Sequence, residues 1–258
     1  MLQLCALDLY KFCYARYVNS IALGFKESTG LEVFQDKPDF SGVIVHIVMP
    51  GASSLRYLDR INKGEVVLGF NLSALLPIRL DAIFIENCNG DEYSQLQFEA
   101  CALHAKKNNT QTLMKNIWTK GRYSVDFMRK YTSFGGLLID VPLRPQQFST
   151  QKTLDLWVTH RKYSFSSFLS SLVFALNYVY SCNGRLVVLH GVDFGGKYFW
   201  EETDNLILKD SRIENFKSKS VHDTQAGKIP FSSRAEHIFS ALGRAGLEVK
   251  MSNSFYGY

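Results

Sequence analysis

Three side chains stand where they could do chemistry. His222 lies in Val221-His222-Asp223-Thr224, a polar stretch ahead of the last helix rather than an apolar face. A loop imidazole with a near-neutral pKa suits general-base work on a hydroxyl, although a lone histidine can equally just tie down its loop. Tyr198 opens an aromatic group with Phe199 and Trp200 after Gly195-Gly196-Lys197. Its phenol could donate to a departing phosphate, or the ring could simply pack at an edge. Asp193, in Gly191-Val192-Asp193-Phe194, could bind a ribose hydroxyl or brace its own loop through neighbouring amides. Two further stretches supply neutral groups. In Pro50-Gly51-Ala52-Ser53-Ser54, Gly51 lets the backbone approach a ligand, and a helix starting at Ser53 can turn amides outward or be a plain capped turn. Asn71 could hydrogen-bond a base or sugar edge, or serve as a turn asparagine. His190 reads as a strand residue, and His46, His104, His160 and His237 have no supporting context.

Several chemistries lack their motifs. Gly191 to Lys197 has the glycine and lysine spacing of a P-loop, but Tyr198 takes the place of the magnesium-binding hydroxyl. No G-x-G-x-x-G follows the first strand, and neither G-x-S-x-G nor H-E-x-x-H occurs, so no metal ligand set is expected. Cys5, Cys13, Cys88, Cys101 and Cys182 are odd in number and widely spaced, which points to a reducing compartment rather than a disulfide framework. The net charge of +5 fits an anionic substrate or membrane surface and is too scattered for nucleic acid. No signal peptide or membrane-length apolar run is evident, so a cytoplasmic location is expected, with peripheral attachment to the inner face of a membrane open.

The elements that must hold these residues follow from apolar runs and their punctuation. At 258 residues, 46% hydrophobic and 21% charged, the chain suits one α/β domain. Residues 1–40 suggest one or two leading helices. Strands are expected at 43–49, 66–70, 81–87, 186–190 and 247–251, with a helix from Ser53 toward Ile61, ended by Gly64. A long helix over Ser164–Tyr180 carries small residues, of which Ser164 and Ser166 could offer donors at its amino end. Another begins at Ser232 or Ser233 and stops at Gly246. Residues 90–161, polar with interspersed aromatics, read as a lid or insertion on the acceptor side, or as ordinary surface helices, with one strand returning near 135–142. The rhythm is that of a doubly wound sheet whose ligands lie at the carboxyl ends of its strands.

Taken in order, these islands resemble the bacterial sialyltransferases that use CMP-sialic acid, together with related surface-polysaccharide proteins. The likeness rests on Pro50–Ser54, the strand closing on Asn71, the Ser-rich helix before Leu176-Asn177-Tyr178, Gly191-Val192-Asp193-Phe194, Tyr198-Phe199, His222 and Ser252-Asn253-Ser254. It spans about residues 43–254 as short islands. The resemblance implies an α/β fold: a single Rossmann-like domain with a mostly parallel sheet and a helical lid, catalysing without metal or cofactor. It implies that His222 deprotonates the acceptor hydroxyl and Tyr198 holds the departing phosphate. Gly51, Ser53, Ser54 and Asn71 would then lie along the nucleotide and donor sugar, with Gly191 and Asp193 on the cytidine side and Asn253 and Ser254 bordering it.

The chain departs from that pattern at Gly195, where the family has a second tyrosine, and in its looser first loop, Met49-Pro50-Gly51-Ala52-Ser53. Tyr163 or Tyr123 could compensate. These departures leave room for another CMP-activated acid sugar, such as Kdo. The expected partners are a CMP-sugar donor and a glycan or glycolipid acceptor, with no nucleic acid and with self-association open. The alternatives are a pterin-type pyrophosphokinase or a flagellin-glycosylation accessory protein, which share the Gly-Val-Asp and aromatic pattern, or a non-catalytic binding subunit. The pyrophosphokinase should need ATP and magnesium.

Overall fold

The computed structural model describes residues 32–33, 38–85, 92–115, 136–139, 171–194, 196–216, 225–226, 229–230 and 232–257. Its frame is an eight-stranded sheet in which every pairing is parallel. The strands are β1 (Glu32–Val33), β2 (Ile44–Val48), β3 (Val66–Phe70), β4 (Ala82–Ile85), β5 (Gln111–Lys115), β6 (Gly136–Ile139), β7 (Leu186–His190) and β10 (Glu248–Met251); β8 (Gln225–Ala226) and β9 (Ile229–Pro230) pair separately. The described helices are α1 (Glu92–Asn108), α2 (Ser171–Ser181), α3 (Ser232–Arg244) and the short α4 (Ser252–Phe255). This is an α/β, Rossmann-like single domain.

The order β1-β6-β5-β4-β3-β2-β7-β10 has one consequence for function. From β2 the chain steps outward strand by strand to β6, then returns to lay β7 on the other side of β2. The direction of winding therefore reverses between β2 and β7, where open α/β sheets bind ligands beyond the carboxyl ends of the strands.

Both faces of the sheet are covered, and the strands alternate between them. Val45 and Ile47 of β2, Leu68 and Phe70 of β3, Phe84 of β4 and Val187 and Leu189 of β7 join α2 and α3 in one core. Val48, Val67, Ile83 and Ile85 turn to the opposite face, against α1 and the aromatic group Tyr198, Phe199 and Trp200. Phe70 stacks on Phe84 at 4.6 Å, and Phe174 and Tyr178 of α2 meet Phe84 edge-on at 5.4 and 5.0 Å.

Two expectations change. The helix expected from Ser53 is a pair of 3₁₀ turns, Ala52–Arg56 and Leu58–Arg60, because its first amides are claimed by tertiary partners. Within 90–161, α1 and β5 belong to the frame itself, β5 lying between β4 and β6. Of that stretch, 90–91, 116–135 and 140–161 lie outside the described residues, so the expected lid does as well. Among the described residues no helix is long and apolar enough to cross a membrane.

Candidate functional site

Because every strand is parallel, all carboxyl ends lie along one edge. The four neighbours β3, β2, β7 and β10 end respectively in Asn71, in Pro50–Ser54, in Gly191–Asp193 and in Ser252–Ser254. Segments scattered over two hundred residues of chain thus arrive side by side, centred on the switch between β2 and β7.

At that switch the two loops are stitched together. The Met49 amide donates to the His190 carbonyl at 2.9 Å, and the Gly51 amide to the Gly191 carbonyl at 3.1 Å. Ala52 donates to Lys197 at 3.0 Å and Phe199 to Pro50 at 3.1 Å, and Gly51 bridges to Tyr198. Both glycines are required by this closeness. A Cβ on Gly51 would strike the Asp193 carboxylate and the Gly191 carbonyl, and one on Gly191 (φ +69) would strike the Met49 carbonyl.

Asp193 closes the seam. Its carboxylate accepts the Ser53 amide at 3.0 Å through Oδ2 and the Ser53 hydroxyl through Oδ1. Of its two readings, bracing the loop is therefore realised. The amide cradle expected at Ser53 is filled from within: Ala52, Ser53 and Ser54 donate to Lys197, Asp193 and Gly51. Asp193 stays exposed, and a carboxylate has about four acceptor positions, of which Ser53 takes two. Ser54 is wholly buried, and its hydroxyl has no partner.

Asn71 is a turn residue at φ +52, opening the 3₁₀ turn Asn71–Leu75. Gln97 of α1 donates to its side-chain carbonyl, Cys101 Sγ lies 3.7 Å from its backbone oxygen, and His104 Nδ1 lies 3.0 Å from Ala74 O. A buried polar stripe on α1 thus fixes the end of β3. The Tyr198 ring is buried and stacked on Trp200 at 4.1 Å, the packed-edge arrangement. Asn253 and Ser254 are exposed on α4, where Asn253 Oδ1 accepts the Ser254 amide at 2.8 Å and the Ser254 hydroxyl donates to Met251 at 2.9 Å. His222, Ser164, Ser166, Gly195, Tyr163 and Tyr123 lie outside the described residues.

No protein family, curated protein or solved structure matches the chain. Its chemistry is carried by its own geometry.

That geometry includes a pair the spacing of the sequence did not reveal. His46, in the middle of β2, and His190, the last residue of β7, point to the same face and are fully buried. His46 Nδ1 lies 3.0 Å from His190 Nε2, and His46 Nε2 lies 3.0 Å from Glu65 Oε2. Burial pushes both imidazole pKa values down, that of His190 to about 3 with His46 adding to the effect; for His46 the Glu65 carboxylate opposes the burial. Both are therefore neutral near pH 7. The only local signal is a histidine placed in an aliphatic buried strand; the partnership spans 144 residues. Among the described residues, no group of three or more His, Cys, Asp or Glu side chains converges as a metal site.

Proposed function

We propose that the chain is a glycosyltransferase that moves an acidic keto-sugar, sialic acid or a relative such as Kdo, from its CMP donor to a glycan. The observation that carries this reading is the gathering of Asn71, Gly51, Ser53, Gly191, Asp193, Asn253 and Ser254 on adjoining strand ends about the switch point. These are the islands on which the resemblance to the CMP-sialic acid-dependent transferases rests.

In this reading the exposed Asp193 carboxylate, steadied by Ser53, uses its remaining acceptor positions on the ribose hydroxyls. Asn71, fixed by Gln97, meets the nucleotide from the β3 side, and α4 borders it from the β10 side. Since Ala52, Ser53 and Ser54 spend their amides internally, the charge developing on the leaving phosphate falls to side chains. Tyr198, although its ring packs on Trp200, is the proposed hydrogen-bond donor to the leaving phosphate through its hydroxyl, and His222 the proposed general base, with stabilisation of the leaving group the dominant contribution. No metal is assigned to the reaction. The proposed setting is bacterial surface-polysaccharide synthesis in the cytoplasm, with attachment to the inner face of the inner membrane left open.

The test is release of CMP from CMP-sialic acid and CMP-Kdo, with and without chelator. Release that persists in chelator and drops on the order of a hundredfold or more in His222→Ala is expected. Absence of cytidine-nucleotide binding would end this reading, and full turnover by His222→Ala would remove His222 from it.

A further inference from the structure

Beneath the stitched loops, on the face opposite α2 and α3, the two histidines and Glu65 form a line rather than a cage. His46 faces His190 with one ring nitrogen and Glu65 with the other, so the three cannot converge on a single ion. The carboxylate is held in place by Asn62, whose amide reaches Oε2 at 2.8 Å and whose side chain reaches Oε1 at 3.2 Å. An ionised carboxylate only accepts, so His46 carries its proton on Nε2 and must accept at Nδ1. His190 then donates from Nε2, which leaves its Nδ1 as a bare lone pair.

That atom is buried with no hydrogen-bond partner, and so are the Ser54 hydroxyl and the Tyr256 hydroxyl. Ser54 belongs to the turn packed on Gly191, and the Tyr256 ring lies 6.3 Å from the His190 ring. Tyr256 stacks on Tyr57 at 5.5 Å, and Arg60 lies over both rings. Leaving a buried acceptor orphaned is destabilising, and a bound hydroxyl group would offset that cost.

We propose that Glu65, His46 and His190 form a proton relay whose buried end, His190 Nδ1, binds a neutral hydroxyl, supplied by a water or by Ser54 or Tyr256. When the hydroxyl O–H breaks, its electron pair stays on oxygen and an N–H bond forms at His190 Nδ1. The Nε2–H of His190 breaks as Nδ1–H forms on His46, and the Nε2–H of His46 breaks as the proton joins Glu65. Glu65 is partly exposed and passes it to solvent; running the steps backward reprotonates the oxygen. Both imidazoles are neutral before and after, which suits their complete burial.

The test needs no nucleotide, so it fails or succeeds independently of the transferase reading. Long-range proton–nitrogen correlation on the full chain with nitrogen-15-labelled histidine should show both rings neutral at pH 7, protonated on Nε2, with His190 Nδ1 shifted as a hydrogen-bonded acceptor. A charged ring, an Nδ1–H tautomer, or a His190 Nδ1 without a hydrogen bond would overturn the relay. Stoichiometric zinc that displaced both protons would do so too. Glu65→Gln keeps an acceptor for His46 but cannot take the proton. It should slow exchange of the His190 Nε2 proton with water on the order of a hundredfold, and unchanged exchange counts against the relay. A changed His190 Nδ1 resonance in Ser54→Ala or in Tyr256→Phe names that side chain as the donor; no change in either names water.

Discussion

On the side of the sheet covered by α2 and α3, the buried strand positions are Val45, Ile47, Leu68, Phe70, Phe84, Val187 and Leu189. On the other side the intervening positions include His46 and His190, and the segments packed there add Ser54, Gln97 and His104, all fully buried. The same strands therefore present an apolar face and a mixed one, where polar groups are buried among Val48, Val67, Ile83 and Ile85, separated by one residue of register. The first face needs only shape and hydrophobicity. The second holds groups whose desolvation is costly, and through Gln97 and His104 it fixes the turn that carries Asn71. Stability and site geometry are thus separable to a useful degree.

The largest effect should come from the apolar face. Phe84→Ala removes the ring at the centre of the Phe70, Phe174 and Tyr178 contacts. Urea unfolding should show a loss of about 3–5 kcal/mol, with the proposed CMP affinity of the folded fraction unchanged. A comparable loss of affinity would break the division between the faces. Next comes Gly191→Ala, which forces an L-residue to φ +69 against the Met49 carbonyl. Its expected cost is roughly 2–4 kcal/mol from the backbone conformation and overpacking together. Here nucleotide affinity should fall too, since the seam must part.

The smallest effect is titration of the two buried histidines. The folded-state pKa of His190 lies near 3 and that of His46 is also lowered, both chiefly by burial, against about 6.5 when unfolded. Below pH 6.5 the unfolded chain binds more protons, so stability is complete above that value and declines as pH falls toward 3. His190 alone should contribute about 2 kcal/mol of loss by pH 5. Unfolding measured from pH 8 to 5 checks this; a His190→Gln chain with the same decline would locate the sensitivity elsewhere.

Much of the frame was legible in the sequence because apolar runs ended in strong punctuation. Ile44–Val48, Val66–Phe70 and Leu186–His190 each stop at small or turn-forming residues, and Ser232–Arg244 carries a clear apolar stripe before Gly246. Helix α1 and β5 were obscured because α1 buries Gln97 and His104 beside its apolar residues, blurring the helical period. The 3₁₀ turn after Gly51 is not legible in the sequence because Asp193, 140 residues away, takes the Ser53 amide and hydroxyl. The His46–His190 contact had no local signature for the same reason: only the register of β2 with β7 creates it.

The strand ends of β3, β2, β7 and β10 are proposed to form a cytidine-nucleotide site. Backbone amide shifts followed during titration with CMP in the presence of chelator test it most directly. Saturable changes are expected at Gly51–Ser54, Asn71, Gly191–Asp193 and Ser252–Ser254. No saturable change, or changes confined to the opposite ends of these strands, would contradict it.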